Sequence, residues 1–220
     1  MPNKGQPVAE GAYITTRGEE TVRRETWQLA RMARGLIFTA RAEQIQPQPA
    51  TWNFDYTLTQ NWDPAEFSIH REAEGQTLAS EQRVQGARYS ARITPRGGEP
   101  KEYTLEISAK HQLDFPSPLF TAVTLIRLNL QVGQTREVDA VRVVLPAFEP
   151  QIVAQKYTCA GEEPLQVPAG RFTAWRYVTS TAGDPAEAQL WADRHGIVLQ
   201  YRFADGSETR LARYRRIDRR

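Results

Sequence analysis

The chain has 220 residues, 40% of them hydrophobic and 25% charged, with a formal net charge of +2. That composition excludes a disordered chain, and so small an excess of positive charge offers no electrostatic footprint for nucleic acid. No run approaches the roughly 20 apolar residues of a membrane-spanning helix, and the one cysteine, Cys159, has no intramolecular disulfide partner.

The amino terminus, MPNKGQPVAEGAYIT, lacks the apolar core of a secretory signal, so the expected compartment is the cytoplasm. Residues 1–11 read as a flexible lead, and residues 12–217 as a single β domain. From Ala12 the pattern is a hairpin, AYITTR, a turn at Gly18–Glu20, and TVRRETWQL, with Trp27 and Leu29 on one face and Glu25 and Arg23 continuing that parity. GLIFTARAEQI alternates again, although WQLARMARGL also has a helical reading. WNFDYTLTQNW is strictly alternating, with Trp52, Phe54, Tyr56 and Leu58 on one side, the period of a half-buried strand. EFSIHREAEG, QTLASEQRVQG, ARYSARITPRGG and KEYTLEISAK follow as short strands with glycine-marked turns, the pattern of a sandwich or up-and-down barrel.

The rhythm breaks at HQLDFPSPLFTAVTLIRLNL, where Pro116 and Pro118 are flanked by Phe115, Leu119 and Phe120. A connection this apolar is out of place on a wet surface. It reads either as a plug packed into the concave side of the sheet or as a lid over a ligand cavity. Within TLIRLNL, taken as a strand, Arg127 falls opposite Ile126, Leu128 and Leu130. If that face lines a groove, the guanidinium there can grip a phosphate or carboxylate; if it meets solvent, Arg127 pairs with a neighbouring acid. EVDAVRVVLPAF and QIVAQKYTC are further strands. Val167–Tyr214 then supplies a patterned set, VPAGRFTAWRYV, QLWADRHGIVLQYRF and ADGSETRLARY, broken by a turn at Asp184–Glu187. The Arg-rich carboxyl-terminal strand, with Arg210, Arg213, Arg215, Arg216 and Arg219, reads as a solvated sheet edge.

No catalytic or metal-binding constellation stands out. His70, His111 and His195 have no ligand spacing. Asp193 and His195 read as a turn pair, and Cys159 lacks a base in sequence. A hydrolase using Asp193, His195 or Cys159 stays an open alternative, but no enzyme, cofactor or metal is expected.

LDFPSPLFTAVTLIRLNLQVGQ, followed by a strand ending QKYTC, resembles the bacterial family described as putative glycolipid-binding. The matching positions are Pro118, Phe120, Thr121, Ile126, Arg127, Leu128, Gly133, Gln155 and Tyr157, with Ile126 standing where the family usually has a second arginine. VPAGRFTAWRY and LWADRHGIVLQYRF resemble a β-rich bacterial family related to the lipoprotein-carrier half-barrels. The resemblance implies a curved sheet partly wrapped around a hydrophobic groove. The expected fold is therefore all-β, a strongly curved antiparallel sheet or half-barrel, with one or two short helical turns near residues 114–123 in its concavity. The expected function is non-enzymatic binding of a lipid-like or glycolipid amphiphile. Its wall would be Trp52, Phe54, Tyr56, Phe115, Phe120, Trp191 and Tyr201, and its polar grip Arg127. A structural or protein-interaction β module with a filled core is the alternative.

Overall fold

The computed structural model describes residues 5–217 except Ala109 and Pro185. Its strands are β1 (Gln6–Arg17), β2 (Glu20–Met32), β3 (Gly35–Gln44), β4 (Ala50–Leu58), β5 (Pro64–Ala73), β6 (Gln76–Gln85), β7 (Arg88–Pro95), β8 (Lys101–Glu106) and β9 (Gln112–Asp114). A helix, α1 (Pro118–Leu128), precedes β10 (Thr135–Val144), β11 (Glu149–Val167), β12 (Gly170–Thr181), β13 (Ala188–Ala192), β14 (Val198–Arg202) and β15 (Ser207–Arg216). All fifteen strands form one sheet, in the order β8-β7-β6-β5-β4-β3-β2-β1-β15-β14-β13-β12-β11-β10-β9. The chain meanders from β1 out to one edge, and β15 pairs back onto β1 through Gly11–Tyr214 and Thr15–Thr209. The β9–β10 ladder is parallel and is bridged by α1, as parallel neighbours require a crossover.

The edge strands β8 and β9 are far apart in the sheet but adjacent in sequence. Fifteen strands make fourteen spacings, which at ~4.8 Å each would set the edges about 67 Å apart in a flat sheet. The six steps from Glu106 to Gln112 reach at most about 20 Å. The sheet must therefore curl almost closed. Polar groups latch the seam: Lys101 Nζ and Tyr103 Oη on β8 both donate to Glu149 Oε1 at the start of β11, at 3.1 and 2.9 Å. These hydrogen bonds, that of Lys101 foremost, hold the Glu149 carboxyl below its ordinary range.

A curled sheet presents a concave apolar face that something must fill, and α1 fills it. Ser117 caps the helix in an extended conformation, its hydroxyl accepting from Leu119 N, and Pro118 occupies the first turn, where its missing N–H costs nothing. Asn129 closes the helix in the left-handed region. Leu119, Phe120, Ala122, Val123 and Leu125 are all buried. Phe120 stacks on Tyr56 with centroids 4.2 Å apart, and Phe67 meets it edge-on at 4.9 Å. Phe115 packs against Phe54 and Phe67 at 5.7 and 5.2 Å. Each such pair contributes about 0.5–1.5 kcal/mol beyond the area it buries.

Three readings of the sequence are corrected here. The short helical turns near 114–123 are one helix of 11 residues reaching Leu128, so Arg127 lies in its last turn and not on a strand. The flexible lead of residues 1–11 is strand from Gln6 onward, its first four residues lying outside the described ones. The carboxyl-terminal strand is not an edge, since β15 sits between β1 and β14; Arg219 of its basic stripe lies outside the described residues, as does Pro185 of the expected 184–187 turn. Among the described residues no helix is long and apolar enough to cross a membrane.

Phe120 anchors the plug, so Phe120→Ala is expected to cost about 3–5 kcal/mol by leaving a cavity the barrel cannot collapse around. Urea denaturation measures this; a loss below about 1 kcal/mol would mean that α1 does not carry the concave core.

Candidate functional site

The helix does not fill the barrel end to end, and a cavity opens at each of its termini. The one at the amino-terminal end measures about 620 Å³ and is bounded by the start of α1 and by residues of β1, β2, β10, β12 and β15. Two polar networks stand in its wall. In the first, Glu25 is only 2% exposed; its Oε1 accepts from Ser117 Oγ at 2.6 Å and its Oε2 pairs with Arg23 Nη2 at 2.5 Å. Arg23 Nη1 also donates to the Pro116 carbonyl, and its guanidinium lies over the Trp52 ring at 5.3 Å. Burial drives the Glu25 carboxyl above its ordinary range, against the opposing pull of Arg23 and Ser117. In the second network Asp114 Oδ2 accepts from Arg142 Nε at 2.6 Å and from Gln155 Nε2 at 2.9 Å, and Arg142 Nη2 donates to Thr181 Oγ1 at 3.0 Å.

Two donors in this wall remain unused. The hydroxyl of Tyr13, a residue 2% exposed, and Nε of Arg23 are buried with no hydrogen-bond partner among the described residues. Burial, followed by the charges of Glu25 and Asp193, raises the Tyr13 hydroxyl well above its ordinary pKa, so it stays protonated and able to donate. The surface-facing part of the cavity is different in character. Val144 and Phe203 are exposed there, and Phe203 stacks on Tyr201 at 4.2 Å. The Glu25–Arg23 pair thus lies deep, while the mouth mixes Val144 and Phe203 with the exposed Arg17, Gln46, Asp184 and Asp205.

The structure distributes the expected wall residues between core and cavity. Trp52, Phe54, Tyr56 and Phe120 belong to the filled core. Phe115 is a core residue that also lines the amino-terminal cavity, and Tyr201 lines it from β14. Trp191 lines neither cavity; its Nε1 donates to Glu163 Oε1 at 2.6 Å and Arg202 covers its ring. Arg127 also lines neither. Its Nη1 donates to the His111 carbonyl at 2.6 Å and its Nη2 pairs with Asp63 Oδ1 at 2.9 Å, so it ties the β4–β5 and β8–β9 connections to the end of the helix. Asp193 is a turn cap, its Oδ1 accepting from the backbone N–H groups of His195 and Ile197 at 2.9 Å each. Cys159 is wholly buried beside Leu125 and Tyr177, its thiol pushed up by burial. No group of three or more His, Cys, Asp or Glu that could hold a metal occurs among the described residues.

The sequence reading passed over Tyr13, Arg23, Glu25, Asp114 and Arg142 as site residues. The signal for Glu25 was present: it shares the parity of Trp27 and Leu29, the buried face of β2.

A family model described as "Putative glycolipid-binding" matches residues 14–204. Among solved structures, a DUF1089 family protein from Pseudomonas aeruginosa is 20% identical, with 82% of this chain and 89% of that chain covered and a TM-score of 0.57. A β-barrel-like protein of DUF1849 from Brucella abortus is 11% identical over 98% of this chain and 100% of that one, with a TM-score of 0.64. The hypothetical lipoprotein YmcC from Escherichia coli is 13% identical over 98% and 90%, with a TM-score of 0.38. The first two share this fold. No curated protein matches significantly.

The buried Glu25 has a pH signature. A carboxyl whose folded pKa lies above its unfolded value of about 4.3 stabilises least once ionised, so stability is lost as pH rises from there through the folded pKa. Glu25→Gln, which mimics the neutral form, is therefore expected to gain in Tm relative to the parent as pH rises from 4 to 8, by calorimetry. A difference that is flat in pH, or that runs the other way, would show that ionised Glu25 is held at no cost.

Proposed function

Because this chain belongs to the family described as putative glycolipid-binding, we propose that it binds a glycolipid by its sugar head in the cavity at the amino-terminal end of α1. The observation that carries this reading is the pair of unused buried donors, Tyr13 Oη and Arg23 Nε, set between two charged networks in one cavity. A buried polar atom left without a partner costs about 1–3 kcal/mol, and a sugar hydroxyl both donates and accepts, so it relieves that cost at either position. Glu25, Asp114 and Gln155 offer further acceptors, and the rings of Phe115 and Tyr201 offer flat apolar surface to the C–H face of a pyranose. The volume of about 620 Å³ lies within the ~300–1,000 Å³ usual for small-molecule sites.

The buried Glu25–Arg23 pair sets the orientation. With that pair deep, and Val144 and Phe203 offering apolar surface at the mouth beside the exposed Arg17 and Asp205, the head enters and the chain lies across the rim. The role of the protein is then binding or carriage of the amphiphile and requires no covalent chemistry.

A short-chain alkyl glucoside, titrated calorimetrically below its micelle concentration, tests the reading. Binding is expected at one site, and Tyr13→Phe, which removes only the hydroxyl, is expected to weaken it about 2–12-fold, the worth of one neutral hydrogen bond at ~0.5–1.5 kcal/mol. Unchanged affinity in Tyr13→Phe would place the head elsewhere. Absence of binding by any alkyl glycoside would leave a β module with a filled aromatic core.

A further inference from the structure

The second cavity, at the carboxyl-terminal end of α1, is larger, at about 770 Å³, and its inner wall carries no counterpart of the buried Glu25–Arg23 pair. Its inner wall is apolar, with Leu29, Leu36, Leu125, Leu130 and Ile197 all buried. Its charged lining residues are Arg31, Asp193, Arg194 and Arg216, joined by His195, and the three arginines are exposed. We propose that this is a separate binding site for an oxyanion-headed, single-chain amphiphile that enters tail first and leaves its carboxylate or phosphate among these arginines.

The charges of the lining support an anion. His195 Nε2 lies 3.1 Å from Arg194 Nε and 2.7 Å from Arg216 Nη1. Guanidinium groups only donate, so this ring nitrogen is the acceptor between them. The arrangement concentrates positive charge at one point of the mouth. Arg31 and Arg194 meet no carboxylate within 4 Å among the described residues. Two features oppose the anion, and both are smaller. Asp193 contributes one negative charge, already stabilised by two backbone N–H groups. The carboxyl-terminal end of α1 contributes about half a negative charge. Arg31 and Arg194 alone, less these, leave roughly +0.5 at the mouth, which favours an anionic head over a neutral one.

The walls are built rather than incidental. Trp62 stands in the left-handed region at φ 66°, a conformation that a bulky aromatic residue adopts only when its surroundings impose it. Those surroundings are visible. Trp62 N donates to the Thr59 carbonyl, the Thr59 hydroxyl accepts from the N–H groups of Asn61 and Asp63, and Asp63 is held by Arg127. Arg127 is thus a positioning residue for this cavity. On the other side Gly196, at φ 79°, presses against the helix so closely that a Cβ there would lie 2.4 Å from Ile126 Cγ1, which seats the Asp193–Ile197 turn at the rim.

The site is tested with decanoate, 1-decanol and inorganic phosphate, each titrated against the full chain by calorimetry at low and high salt. Decanoate is expected to bind at one site at least about tenfold tighter than 1-decanol, with that advantage shrinking in salt, and phosphate alone is expected not to bind measurably. The double variant Arg31→Gln/Arg194→Gln changes only exposed side chains and is expected to bring decanoate down to the affinity of 1-decanol while leaving 1-decanol unchanged. Tyr13→Phe in the other cavity is expected to affect neither. Equal binding of decanoate and 1-decanol, phosphate binding as tightly as decanoate, or loss of decanoate binding in Tyr13→Phe would each overturn the proposal. Because the two cavities are probed by different heads and different variants, failure here leaves the sugar-head reading standing, and the converse holds.

Discussion

The structure depends on the filling of a concave face. A fifteen-stranded sheet whose two edges are tethered by the few residues between Glu106 and Gln112 has to curl, and curling gathers the apolar face of nearly every strand onto one interior. No hairpin can line that interior without exposing unpaired backbone. A short helix can, because its backbone hydrogen bonds close within itself. Phe120 stacked on Tyr56, with Phe67, Phe54 and Phe115 around it, is the contact by which α1 locks into the barrel. Since α1 has only 11 residues, about 17 Å of helix, it closes the middle of the interior and leaves a cavity beyond each end.

The two ends differ because the helix and its surroundings differ there. At the amino terminus the unpaired N–H groups favour negative charge, and the chain supplies it in Glu25, which accepts from the capping Ser117 itself. Burying that carboxylate is costly, and Arg23 is the compensating partner. That pair consequently lies deep. At the carboxyl terminus the interior is apolar, with Trp62, Trp175 and Tyr177 beside the aliphatic side chains, and the charges stand outside, on the Asp193–Ile197 turn and on the ends of β2 and β15. Arg127, in the last turn where a cation is favoured, fastens the flanking connections to the helix.

Much of this was legible in the sequence. Period-two alternation in WNFDYTLTQNW and its neighbours is the direct imprint of a sheet with one buried face, and the all-β fold follows from its repetition, whereas its strong curvature was implied by the family resemblance. The HQLDFPSPLF break correctly marked the segment that enters the concavity, and the family resemblance fell on the same residues. The helix itself was under-read. Pro116, Pro118 and the β-branched Thr121, Val123, Thr124 and Ile126 lower helix propensity, whereas Ser117-Pro118 as cap and first residue, and burial on all sides, override it. Reading 124–130 as a strand then placed Arg127 on a groove face that does not exist. The candidate site was harder to see because strand parity reports which side chains are buried and not which of them meet. Asp114 and Arg142 face each other on the paired strands β9 and β10, but Glu25, on β2, is brought to the same cavity only by the curling of the sheet.

The central claim is that α1 divides one barrel interior into two cavities and that the polar one, at its amino terminus, receives a sugar head. Methyl-detected NMR during titration with an alkyl glucoside tests it most directly. The account predicts shifts at Thr121, Val143 and Thr209, which line the amino-terminal cavity, with Leu36, Ile126 and Leu130 at the other end unmoved. Shifts at Leu36, Ile126 and Leu130 with Thr121, Val143 and Thr209 silent would contradict it.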